Sequence, residues 1–188
     1  MRNKKDFNNL MALFVAVIFS GCSAETSVKN EATVSFSTDQ INELMAEGDK
    51  NFDAGKFDEA IKNYTAAIEM DNEFADAYNS RGVAYISKGN LNEAIKDFSQ
   101  AIKLAPEVAM PYSNRGQVYS ELGEFDKALA DLNKAIELDP NYADAYNNLG
   151  VLSFKTGDND KAVAYFKKAL EIDPKHENAT NNLKKISQ

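Results

Sequence analysis

A step of 34 residues constrains this chain more than any other feature. Ala75-Asp76-Ala77-Tyr78-Asn79-Ser80-Arg81-Gly82 returns as Ala109-Met110-Pro111-Tyr112-Ser113-Asn114-Arg115-Gly116 and again as Ala143-Asp144-Ala145-Tyr146-Asn147-Asn148-Leu149-Gly150. One step backward gives a weaker fourth copy from Ile41, so the copies 41–74, 75–108, 109–142 and 143–176 tile the chain without gaps. A fixed period of this length means stacked supersecondary units, none of which can bury its own apolar face alone.

Each copy reads as two helices. Gly55, Gly89, Gly123 and Gly157 close the first, because glycine adopts the left-handed conformation without penalty. Three residues on, Asp58, Asn92, Asp126 and Asp160 are expected as N-caps of the second helix. Pro106, Pro140 and Pro174 mark its end. Side-chain size supplies the packing: Gly48, Gly82, Gly116 and Gly150 are expected to face Ala60, Ala94, Ala128 and Ala162. Tyr64, Phe98, Leu132 and Phe166 fill the space between, and Ala67, Ala101, Ala135 and Ala169 receive the next repeat.

The 34-residue period and this small-and-large pattern resemble the tetratricopeptide-repeat family over about three quarters of the chain. The resemblance implies an all-α solenoid of four helix-turn-helix repeats within residues 37–176. The first copy departs from the family pattern at Asn72, where proline is usual, and at Asn51, where other copies carry Tyr85, Tyr119 and Ser153. Asn159, in place of Phe57, Leu91 and Phe125, predicts weaker helix pairing in the fourth copy. Residues 177–188 place Ala179, Leu183 and Ile186 on one stripe. Lys184 stands in the glycine slot, so this segment is expected to cap the array.

Residues 1–21 read as an export signal. Arg2, Lys4 and Lys5 precede the apolar run Leu10–Phe19, which as a helix covers roughly 15 Å, about half of a bilayer's hydrocarbon core. Phe19-Ser20-Gly21-Cys22 resembles the lipobox of bacterial lipoproteins, departing from it at Phe19, where leucine is usual. That resemblance implies acylation of Cys22, residues 22–36 as a flexible tether, and, with Ser23 in place of aspartate, the outer membrane facing the periplasm. Cys22-Ser23-Ala24 also offers an ordinary cleavage site, which would release a soluble periplasmic or secreted chaperone-like binder.

Charge and composition narrow the function. Removing residues 1–21 takes away Arg2, Lys4, Lys5 and Asp6, which moves the formal charge from -8 to -10 and disfavours nucleic acid. One cysteine and one histidine make neither a disulfide nor a zinc site. His176 is expected as an exposed turn residue, and Asp76, Glu93, Asp97, Glu137 and Asp144 as solvated carboxylates. No nucleophile, base or phosphate loop emerges, so no cofactor and no catalysis are expected.

By family resemblance the concave face of the first helices binds other proteins. Met45, Asn79, Ser113 and Asn147 fall there, with Asp49, Val83, Gln117 and Val151 one turn on and Asn114 and Asn148 at its edge. Asparagine and glutamine suit the amides of an extended peptide. Family members that grip acidic C-terminal tails use a clamp of lysine, arginine and asparagine. The matching positions here are Met45, Asp49, Ser80, Met110 and Asn114 in one frame, and Asn79, Val83, Asn114, Asp144 and Asn148 in the next. Neither frame supplies a cation, which points to neutral or basic segments as partners.

Overall fold

The computed structural model describes residues 38–186, and these are α-helices and short turns. The first helices of the four repeats are α1 (Thr38–Asp53), α3 (Ala75–Ser87), α5 (Ala109–Glu121) and α7 (Ala143–Lys155). The second helices are α2 (Phe57–Met70), α4 (Leu91–Leu104), α6 (Phe125–Leu138) and α8 (Asn159–Ile172), and α9 (Glu177–Ile186) closes the array. Residues 1–21 and Cys22 with its tether lie outside the described residues.

Local chemistry explains each boundary. The four loop glycines have φ between 71° at Gly55 and 86° at Gly157, the left-handed region that closes a helix. The next N–H reaches back five residues, as from Lys56 to the Asn51 carbonyl at 2.8 Å and from Glu124 to that of Tyr119 at 2.8 Å. The second helices stop two residues before each proline. Asp139, directly before Pro140, is extended, as that position requires. The first repeat ends in the same way without proline: Asp71 is extended, and its carboxylate accepts the Glu73 N–H at 2.9 Å. Asp139 and Asp173 form the same turn.

One expectation about the helix ends is corrected. The N-caps are Lys56, Asn90, Glu124 and Asp158, so Asp58, Asn92, Asp126 and Asp160 lie inside the first turn. There the carboxylates act on the helix dipole rather than as caps. Of these four, only the Asp158 side chain caps its helix, accepting the Lys161 N–H at 3.1 Å. At the glycines of the first helices the nearest approach is by the large residue of the second helix, and at Gly116 the Ala128 carbonyl also lies within 3.2 Å of where a Cβ would sit. A Cβ on Gly48 would come within 2.5 Å of the Tyr64 ring, on Gly82 within 2.6 Å of Phe98, and on Gly150 within 2.4 Å of Phe166. The alanines are nevertheless fully enclosed: Ala60, Ala94, Ala128 and Ala162 within repeats, Ala67, Ala101, Ala135 and Ala169 against the next.

The fourth repeat pairs its helices as closely as the others, contrary to the expectation from Asn159. Phe166 is 2 % exposed and Ala162 fully buried. Asn159 forgoes the ring contact that Phe57 makes with Phe52, centroids 5.4 Å apart, and the Asp158 cap supports the helix start instead. At the C-terminal end Ala179 is buried while Lys184 is exposed, as a cap requires.

Curvature follows from which helices meet. Consecutive first helices touch one another, α1 to α3 and onward to α9, whereas among the described residues consecutive second helices do not. The first helices therefore line the inner, concave side.

Candidate concave recognition face

The inner face is tied together by a ladder of side-chain hydrogen bonds, each joining residues 35 apart on adjacent first helices. Asn114 donates to the Asn79 carbonyl oxygen at 3.0 Å, Asn148 to the Ser113 hydroxyl at 3.1 Å, and Asn182 to the Asn147 carbonyl oxygen at 3.0 Å. Asn79 in turn donates to the Met110 sulfur at 3.2 Å, and Lys155 Nζ donates to the Ser120 carbonyl at 3.0 Å.

The ladder divides the expected groove residues. Gln117 is exposed, Asn79, Asn114, Asn148, Val83 and Val151 are half-buried, and Asp49 is exposed with its carboxylate accepting the Tyr64 hydroxyl at 2.7 Å. Ser113 does not line an open groove, and Asn147 contributes only a small part of its side chain to one. They are buried at 0 % and 6 % exposure, because neighbouring first helices close over them. Met45 and Val83 pack against the core clusters around Tyr64 and Phe98 respectively. What remains accessible is a depression of ≈ 400 Å³ over α5, α7 and α9, lined by Asn114, Gln117, Tyr142, Asp144, Asn147, Asn148, Val151, Asn178 and Asn182. Burial, with Asp144 and Asp139 nearby, pushes the Tyr142 phenol up to about 12. It stays a neutral donor near neutral pH.

Sequence reasoning missed three buried ionisable groups, Asp97, Asp131 and His176. Asp97 is 6 % exposed, not solvated. It accepts two bonds from Arg81, Nε to Oδ2 at 2.7 Å and Nη2 to Oδ1 at 2.8 Å, while Arg81 Nη1 reaches the Thr65 hydroxyl at 3.0 Å. Arg115 repeats this with Asp131 and Ser99. The carboxylate hydrogen bonds hold both guanidinium pKa values above their usual range. His176 is also buried, at 8 % exposure. It occupies the inter-repeat slot of Phe74, Val108 and Tyr142, one 34-residue step further on. Its Nδ1 accepts the Ala179 N–H at 3.3 Å, and its Nε2 lies 3.2 Å from Asp144 Oδ1 without hydrogen-bond geometry. Among the described residues no group of His, Cys, Asp and Glu could hold a metal ion, and no helix is long and apolar enough to cross a membrane.

Family profiles match the same repeats in the sequence. The profile described as "TPR repeat" matches residues 48–87 and 116–157, and that described as "Tetratricopeptide repeat" matches 75–108 and 143–176. The chain belongs to the tetratricopeptide-repeat family. Among tetratricopeptide structures, that of MamA is 28% identical, with 80% of this chain and 82% of that chain covered and a TM-score of 0.63. The first tetratricopeptide domain of human RPAP3 is 31% identical over 61% of this chain and 90% of its own, with a TM-score of 0.57. The second, solved in complex with the HSP70 peptide SGPTIEEVD, is 25% identical over 61% and 95%, with a TM-score of 0.54. A search of curated proteins returned no significant match. The tetratricopeptide fold is typical of protein–protein interaction scaffolds, and tetratricopeptide proteins are generally non-catalytic.

Proposed function

We propose that this protein is a non-catalytic adaptor that holds neutral or basic extended segments of partner proteins on its concave face. The reading rests on the inner depression over α5, α7 and α9. Gln117, Asn178 and the remaining hydrogen-bonding capacity of Asn114, Asn148 and Asn182 supply donors and acceptors there, and Val151 supplies an apolar contact. Asp144, with 57 % of its side chain exposed, adds negative charge. An acidic tail such as the HSP70 peptide bound by the RPAP3 domain would meet repulsion rather than a paired cation, since Lys155 is turned to the Ser120 carbonyl.

A peptide array read at two salt concentrations tests the preference. Basic segments should bind best at low salt and lose part of their signal as salt rises, while neutral segments hold. Gln117→Ala with Val151→Ala should weaken both. Strongest binding by acidic C-terminal peptides would overturn the assignment.

The same proposal places the adaptor in the bacterial envelope, with Cys22 acylated and the repeats held off the outer membrane by residues 22–36. Its support is the order of charged, apolar and small residues before the only cysteine in the chain. Fatty-acid incorporation that is lost in Cys22→Ser would establish the anchor. Mature protein beginning at Glu25 in the soluble periplasm would instead establish the released chaperone-like form.

A further inference from the structure

The inner surface of α7 changes character along its length. Asp144, in the first turn, lines the polar depression with 57 % of its side chain exposed, and Asn148 and Val151 follow one and two turns on. Past Val151 the surface opens into a slot of ≈ 170 Å³ between α7 and α9. Phe166 of α8, 2 % exposed, is its base; Val151, Phe154 and Ile186 form its walls, and Asn182 and Lys185 complete the lining. Val151 and Asn182 line the depression as well, so slot and depression are continuous.

Phe154 sets this slot apart. It is 52 % exposed, more than any other large apolar side chain among the described residues. At the same position in the earlier repeats, Phe52 and Ile86 are half-buried and Ser120 is buried. An exposed phenylalanine beside apolar walls is surface that gains by being covered. The size of the slot says by what: it lies below the roughly 300–1,000 Å³ of small-molecule sites and suits a single side chain.

Charge limits where a partner's cation can lie. Asp144 precedes Phe154 by ten residues on one helix, roughly 15 Å at 1.5 Å per residue. An extended chain covers that distance in about four or five residues. Lys185 at the slot and Lys155 next to Phe154 are both exposed, and they repel a positive charge at this end.

Resting on the concave-face reading above, we infer that the slot anchors one large aliphatic side chain, of leucine size, from an extended partner segment whose lysine or arginine meets Asp144 four or five residues away. Between these two points the segment's amides pass over Asn148 and Asn182. No positive charge stands beside the anchor.

The probe is a fluorescent serine- and glutamine-based peptide of about ten residues with leucine and arginine about five residues apart, made in both orders. One order should bind the full chain saturably and shift the amides of residues 144–154 and 182–186 in isotopically labelled protein. Replacing the peptide's leucine by alanine should weaken binding at least about fivefold. Replacing its arginine by glutamine should weaken binding about threefold at low salt and less at high salt. Moving the arginine beside the leucine should cost about threefold, and Lys185→Glu should remove that cost. Phe154→Ser should bring the leucine peptide down to the affinity of its alanine version and leave the melting temperature nearly unchanged, as befits an exposed side chain. Inner-face binding that ignores both the leucine and Phe154→Ser would overturn the anchor and leave the concave-face reading standing. No inner-face binding by any of these peptides would overturn both. Concentration-dependent self-association lost in Phe154→Ser would also overturn the anchor, by assigning the slot to a second copy of the chain.

Discussion

Removing one member of the Arg115–Asp131 pair should destabilise the protein far more than removing both. The guanidinium grips the carboxylate through two bonds of 2.7 and 2.9 Å, and the two side chains are only 18 % and 11 % exposed. Losing one partner strands the other charge away from water. For a fully buried pair that costs about 3–5 kcal/mol; the residual solvent access here reduces it to roughly 2–4 kcal/mol for Arg115→Met or Asp131→Leu alone. The double variant leaves no stranded charge. Ser99 loses the Arg115 bond but keeps its own donation to the Ile95 carbonyl at 2.6 Å. The fourth repeat already places Leu149, 2 % exposed, in the arginine position. We therefore expect the double variant within about 1 kcal/mol of wild type, and a coupling energy of at least about 2 kcal/mol. Urea and thermal melts followed by circular dichroism give the four corners of the cycle. The single variants should lose on the order of 5–15 °C. Additive losses in the double variant would refute the reasoning and show the pair to be stabilising in itself.

Other expectations are equally checkable. Ala128→Leu should cost about 1–3 kcal/mol by overpacking, because the Ala128 carbonyl lies 3.2 Å from where a Cβ on Gly116 would sit and the helices have no room to part. Lys127→Ala, at an exposed site, should be nearly silent, and equal melting temperatures for the two would contradict the assigned faces. Gly150→Ala should also destabilise through contact with the Phe166 ring, whereas Gly157→Ala, with open space around its Cβ, should do so through φ alone; a Phe166→Leu background should relieve the first and leave the second. The Lys161 side chain and backbone N–H lower the Asp158 carboxyl below 3.8 in the folded state. The cap's contribution is therefore complete above the unfolded value and is lost as pH falls through the folded one. The melting gap between wild type and Asp158→Ala should be level at neutral pH and close below about pH 4.

The 34-residue step made the helix pairs and their buried alanines and aromatics legible, because packing repeats with the chain. What escaped were interactions whose own spacing differs from that step. The Arg81–Asp97 and Arg115–Asp131 pairs are 16 residues apart. Their signal was the joint replacement of both members by Leu149 and Tyr165, which shows that the positions are coupled. The ladder spans 35 residues, one more than the period, so a comparison in strict register passes over it. That is why Asn114 and Asn148 read as free amides for a ligand when part of their capacity joins neighbouring repeats. His176 sits between polar Lys175 and Glu177, and the step places it in a slot that is only half-buried at Phe74 and Tyr142 and exposed at Val108, so neither neighbours nor period signal its burial.

The junctions between repeats are fastened on different sides, and this gives the superhelix a direction of give. Between the second and third repeats the Asn79–Asn114 rung holds the inside and the Arg115–Ser99 bond the outside, so that joint is stiff. At the first joint Met45 and Ser80 stand where a rung would be, and the fastening is outside, through Arg81 to Thr65 and Lys88 to Asp58. At the third joint the rung from Asn148 to Ser113 and the Lys155 strap fasten the inside, and the outside is left unstitched at Leu149. Each end is thus hinged on the edge where it is stitched. Bending that opens the inner edge at the first joint, or the outer edge at the third, breaks none of these bonds, whereas either bend at the second joint breaks one.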